Sequence, residues 1–89
     1  MRAPDPRLVV FGRAVRRARR DRDMSQEALG DAAGLAAKHI SEIERANRDP
    51  RLTTILKLAH ALELRPGELL TLFDEQLDAG PEAAAKPRV

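Results

Sequence analysis

Lys38, Ser41, Glu42 and Arg45 stand at i, i+3, i+4 and i+7, so a helix through them carries a cation, a hydroxyl, a carboxylate and a second cation on one side. Ile40 and Ile43 fall on the inward side. Such a set is suited to recognition by hydrogen bonds. Lys38 can donate to guanine O6 and N7, Glu42 can accept from cytosine N4, Ser41 fits a base or a phosphate, and Ala37 offers only a methyl to a thymine methyl. The plain alternative for Lys38 and Glu42 is an i,i+4 salt bridge on a wet helix. Covalent and metal chemistry have less to work with. The chain has no cysteine, hence no thiolate and no disulfide framework. His39 and His60 each precede an acid by three residues, Glu42 and Glu63, a spacing that can set two metal ligands on one helix face. In a chain that is 34% charged, chance supplies such pairs readily. No metal, cofactor, small-molecule ligand or catalytic residue is expected.

The net charge is only +2, yet residues 1–22 hold eight Arg against Asp5 and Asp21, about +6 in that stretch alone. Basic charge gathered at one end points to a polyanion partner, most often nucleic acid. Arg13, Arg16 and Arg17 are read as a general positive field or a solvated face rather than as specific contacts. The N-terminal stretch has no apolar run long enough for a signal-peptide core, and no segment approaches a membrane span. A soluble cytoplasmic protein, associated with the nucleoid and not with a membrane, is the expectation.

The elements that must position these groups are helices. With 89 residues there is room for one small domain and one core. The apolar residues are mostly Ala and Leu, with no Trp or Tyr, which favours packed helices over a sheet. Leu8, Phe11, Val15 and Ala18 predict a first helix over 7–22 with Arg13, Arg16, Arg17 and Arg20 on its other face. Ser25 is the N-cap of a second helix, with Glu27 in its first turn and Leu29, Ala32 and Ala33 on its buried side. Gly34 supplies a left-handed residue to end it, and a third helix runs over 36–45. Leu52, Ile55, Leu58, Ala59 and Leu62 outline a fourth helix; Pro66 opens a fifth, striped by Leu69, Leu70, Phe73 and Leu77. The expected class is all-α: a flexible lead over 1–6, five helices over 7–78, and a flexible tail over 79–89.

A helix, a glycine turn and a second helix at a steep angle is the arrangement in which the second helix is laid into the major groove of DNA. Gly30 provides the small residue where the two helices cross. At this point MSQEALGDAAGL, HISEIERANRDP and ILKLAHALELRPGELL together resemble the Xre family of phage-repressor and Cro-like helix-turn-helix regulators, which includes the small controller proteins of restriction-modification systems. The resemblance covers roughly residues 8–78. It implies a compact five-helix repressor-like fold and a DNA-binding transcriptional regulator. It implies that Gln26 binds a phosphate and braces the recognition helix, and that Arg19 pairs with Glu44 as scaffold. The base-reading positions would be Ala37, Lys38, Ser41 and Glu42, with Arg45, Asn47, Arg48 and Arg51 along the backbone.

Four positions depart from the family pattern. Ala36 stands where Ser or Thr usually caps the recognition helix. Ala46 replaces a glycine, leaving Asn47 to take any left-handed turn. Gly30 replaces the common alanine, and Arg51 replaces a small polar cap of the fourth helix, trading capping for a DNA contact. Leu69, Leu70, Phe73 and Leu77 are more than so small a unit is expected to bury, and a homodimer through them would read a roughly palindromic operator. RNA polymerase or another protein is a further candidate partner, with Glu27 and Asp31 as acids near the DNA-facing helices. The alternative function is an antitoxin-like protein-binding module of the same fold.

Overall fold

The structure, a computed structural model, describes residues 4–79. Five helices form in order: α1 Pro6–Asp21, α2 Gln26–Ala33, α3 Ala37–Glu44, α4 Leu52–Ala61 and α5 Pro66–Ala79, with no strand among the described residues. Of the tail expected to be flexible over 79–89, Ala79 instead closes α5, and the rest, with the first three residues of the lead, lies outside the described residues. α1 begins one residue earlier than its apolar spacing suggests. Asp5 caps it, its carboxylate accepting from the Arg7 backbone N–H at 2.8 Å, and Pro6 fills the first helical position, where an N–H has no partner to lose. Ser25 caps α2 through the Ala28 N–H at 2.9 Å. Ala36 and Arg51 stand at the N-caps of α3 and α4 with no side-chain bond, so the first amides of both helices are left open.

The first four helices end in the same way. In each, the N–H of the residue after a left-handed position reaches back to a carbonyl five residues earlier: Met24 to Arg19, Leu35 to Gly30, Asn47 to Glu42 and Leu64 to Ala59, at 2.8–3.1 Å. This turn needs a left-handed residue, and only once is it glycine. Asp23 (φ 54°), Gly34 (φ 71°), Ala46 (φ 62°) and Glu63 (φ 57°) fill the position. The left-handed residue after α3 is therefore Ala46 itself and not Asn47. Its methyl is buried, and that burial offsets part of the backbone cost of a non-glycine residue there.

Val10, Val15, Leu29, Ile40, Ile43, Leu58, Leu62 and Leu69 are fully buried, one contribution or more from every helix. α1 lies against both α3 and α5, while α2 is clasped between α3 and α4. Three expectations are corrected. Ala32 is exposed, because an eight-residue helix buries only a narrow stripe, here Leu29, Gly30 and Ala33. Leu52 is 69% exposed, because at the first turn of α4 it precedes the point where that helix meets the core. Leu69, read as part of a subunit interface, is fully buried within the monomer, where the start of α5 closes the core.

Candidate nucleic-acid interface

The corner between α2 and α3 is set by backbone contact. A Cβ on Gly30 would lie 2.5 Å from the Leu35 carbonyl oxygen, whereas nothing lies within 4 Å of the same atom built on Gly34. Gly30 is thus required by the closeness of the crossing and Gly34 by its φ alone. A second close approach went unread in the sequence. Gly12, in the middle of α1, lets the last turn of α3 sit directly on α1: its Cβ would meet the Ile43 and Glu44 carbonyl oxygens at 2.7 Å. A glycine inside an otherwise regular helix was the available signal.

Beneath α3, the Glu44 carboxylate is completely covered and gathers three side chains. Arg19 donates from Nε to Oε2 at 2.7 Å and from Nη2 to Oε1 at 3.0 Å; Gln26 Nε2 reaches Oε1 at 3.2 Å and Arg16 Nε at 3.3 Å. Arg19 Nη1 also donates to the Met24 carbonyl at 2.8 Å, fastening the turn before α2. One buried carboxylate therefore ties α1, α2 and α3 together. Burial pushes the Glu44 carboxyl up, but the hydrogen bonds from Arg19 and Gln26 and the adjacent charges outweigh it and hold the pKa below the usual carboxylate value. Arg16 belongs to this knot. The signal was its position three residues before Arg19, on the same helical face. Gln26, assigned by resemblance to a phosphate, commits its amide nitrogen to Glu44.

The other side of α3 carries a different set. Lys38 and Arg45 are exposed, Ala37, Ser41 and Glu42 half-buried. Arg45 Nε lies 3.4 Å from the Ser41 carbonyl in its own last turn. Glu42 is engaged by Arg48 and not by Lys38: Arg48 Nε and Nη2 both point to Oε1, at 2.9 and 2.7 Å. That hydrogen bonding holds the Glu42 carboxyl below its ordinary pKa. Asn47, Arg48 and Arg51 are exposed along the α3–α4 connection, Arg51 at the open N-terminus of α4. Arg13, Arg16, Arg17 and Arg20 line a shallow depression on α1 beside Gln76.

On α5, Leu70 and Leu77 are 48% and 45% exposed, while Phe73 is half-buried against the core. No group of three or more His, Cys, Asp or Glu residues among the described residues is placed to hold a metal ion, and no described helix is long and apolar enough to cross a membrane.

Residues 15–69 match the profile of the family described as Helix-turn-helix, HTH_3. The chain is 40% identical over 63 residues to control protein C.BamHI of Bacillus amyloliquefaciens, covering 70% of this chain and 78% of that protein. The structure superposes on the restriction-modification controller protein C.AhdI of Aeromonas hydrophila with a TM-score of 0.68 and 42% identity, over 70% of this chain and 94% of that one. It also matches the DNA-binding domain of the P22 c2 repressor, with a TM-score of 0.64 and 33% identity over 67% and 79% of the two chains. Against longer HTH-type transcriptional regulators of Sinorhizobium fredii and Mycobacterium tuberculosis the chain spans 35% and 31% of their lengths.

Proposed function

The chain belongs to the helix-turn-helix family of DNA-binding transcriptional regulators, and from that premise we propose that it reads a specific duplex sequence with α3 in the major groove, as a dimer on a roughly palindromic operator. The observation that carries this is the division of α3 into two faces. Ile40, Ile43 and Glu44 are fastened inward by the core and by Arg16, Arg19 and Gln26. Lys38, Ser41, Glu42 and Arg45 are left on the outer side. Lys38 and Glu42 supply a donor and an acceptor for base edges, while Arg45, Asn47 and Arg51 lie toward phosphates.

The open N-termini of α3 and α4 support the same reading, since uncapped amides at a helix start favour an anion. The five-helix unit is the DNA-binding domain, it works in the cytoplasm, and no catalytic role is assigned to any of its residues. The test is selection of binding sites from a random duplex library by the purified chain at two salt concentrations, repeated with Lys38→Ala. The expected result is a palindromic motif that loses one base preference in the variant, roughly tenfold, and weakens with salt as several phosphate contacts require. Weak binding driven by salt alone, with no motif enriched, would sink this reading and favour a protein partner.

A further inference from the structure

We propose that Arg48 is a specificity-determining positioning residue, which fixes the Glu42 carboxylate on the outer face of α3 by one oxygen and leaves the other to accept from a base edge. The proposal rests on the reading of α3 as the recognition helix and assigns Arg48 a task other than holding a phosphate. Both contacts from the guanidinium fall on Oε1, at 2.9 and 2.7 Å. Oε2 keeps its full accepting capacity. The position of Arg48 is itself fixed from below: the Asn47 N–H bonds to the Glu42 carbonyl at 2.8 Å and the Ala46 N–H to that of Ile43 at 3.1 Å, locking the turn just before it.

Three consequences follow from this geometry. A glutamate held in one orientation has already given up side-chain freedom that a loose one would lose on binding, so its base discrimination is sharper. A carboxylate brought to a polyanion needs a cation beside it. If Arg48 swung away to a phosphate, Glu42 would face the DNA without its partner cation, and the same movement would break the Nε hydrogen bond and the Nη2 ion-pair contact. With Glu42 satisfied by Arg48, Lys38 is not drawn into the i,i+4 pair its spacing allows, and its ammonium stays available for a base of its own.

The experiment is site selection and competition binding with the full chain as wild type, Arg48→Ala, Arg48→Lys, Glu42→Gln and the Arg48→Ala/Glu42→Gln double variant, each at several salt concentrations. Arg48→Ala is expected to relax preference at the same base pair as Glu42→Gln, roughly tenfold. The double variant should lose nothing more at that pair, and the salt slope should stay unchanged. Arg48→Lys, which keeps the charge but lacks the two-pronged contact, should recover affinity but only part of the preference. Thermal melts check that each variant is folded; Arg48 and Glu42 are outside the core, and the Lys variant serves if the Ala variant is not. The proposal is overturned if Arg48→Ala weakens all sequences equally and lowers the salt slope by about one phosphate contact while the preference at the Glu42 pair survives. A wild-type chain that enriches no motif removes the underlying reading of α3 as well, which separates the two failures.

Discussion

At Glu44 a single proton decides whether three helices stay tied. The carboxylate is fully covered, and its charge strengthens the two Arg19 contacts and those of Gln26 and Arg16; protonation leaves both arginines without their counter-charge. Its pKa in the folded chain lies below the ordinary 4.5, so the unfolded chain binds the proton more readily. The stabilisation is therefore complete above the ordinary carboxylate pKa and is lost as pH falls through the lower, folded value. Glu44→Gln is expected to cost about 3 kcal/mol at neutral pH, because it strands Arg19 beneath α3 without its counter-charge. Denaturant unfolding from pH 7 to pH 3 should show the wild type losing stability on the acid side and the variant following a flatter course. Some slope remains from Asp5 and Glu42, whose carboxyls are also held low by arginine. An identical acid limb in wild type and variant would show that Glu44 is not the group being titrated. The sequence allowed this knot to be read only in part. Arg19 and Glu44 are 25 residues apart and were joined only through family resemblance, and the spacing that brings Arg16 into the same contact was read as solvated surface. Glu42 and Arg48 lie on opposite sides of a helix end, where 3.6-residue periodicity no longer says which side chains meet.

The existence and type of all five helices were legible, because each has an apolar stripe at helical spacing, and Ser25 caps α2 and Pro66 opens α5; Pro6, placed in the flexible lead, opens α1 as well. Their ends were less so. The four left-handed turns share one hydrogen-bond pattern, but glycine marks only the second, and Asp23, Ala46 and Glu63 give no comparable signal. Here the tertiary arrangement overrides local preference: α1, α3 and α4 must stop where they do to let the next helix cross the core. The two glycines of the corner separate backbone conformation from crowding. Gly34→Ala meets open space and should cost about 1 kcal/mol for the left-handed backbone alone. Gly30→Ala drives a methyl onto the Leu35 carbonyl and should cost about 2–3 kcal/mol, shifting α3 relative to α2. In a domain of this size that is a fall in Tm of roughly 4–8 °C for the first and at least twice that for the second. The second should also lose base preference along with stability, because the outer face of α3 would no longer sit at the same angle to the rest. Equal losses in the two variants would mean that conformation, not the crossing, sets the corner.

On the proposed reading a unit of five helices places one recognition helix, and a second copy doubles the base pairs read. The proposed dimer supplies the second, and the exposed leucines show where the monomer leaves apolar surface unpartnered. Leu70 and Leu77 lie seven residues apart on α5, two helical turns along one face, with half-buried Phe73 between them. Leu69, next in sequence to Leu70, points the other way and is wholly inside. Leu70→Glu should leave the fold intact, since the side chain is already half in water, but place two like charges across a two-fold contact and shift the chain to a monomer. Leu69→Ala should instead cost about 2–5 kcal/mol through a core cavity. Sedimentation equilibrium of the wild type is expected to give twice the 9.8 kDa chain mass at micromolar concentration and above. Leu70→Glu should give the single-chain mass with an unchanged melting transition. On DNA it should bind an isolated half-site as the wild type does and lose the gain from a second half-site one helical turn away, because that gain comes from linking two weak contacts into one. If the wild type sediments as a monomer and binds paired half-sites no better than single ones, α5 is not a subunit interface, and its exposed leucines must be explained by another partner.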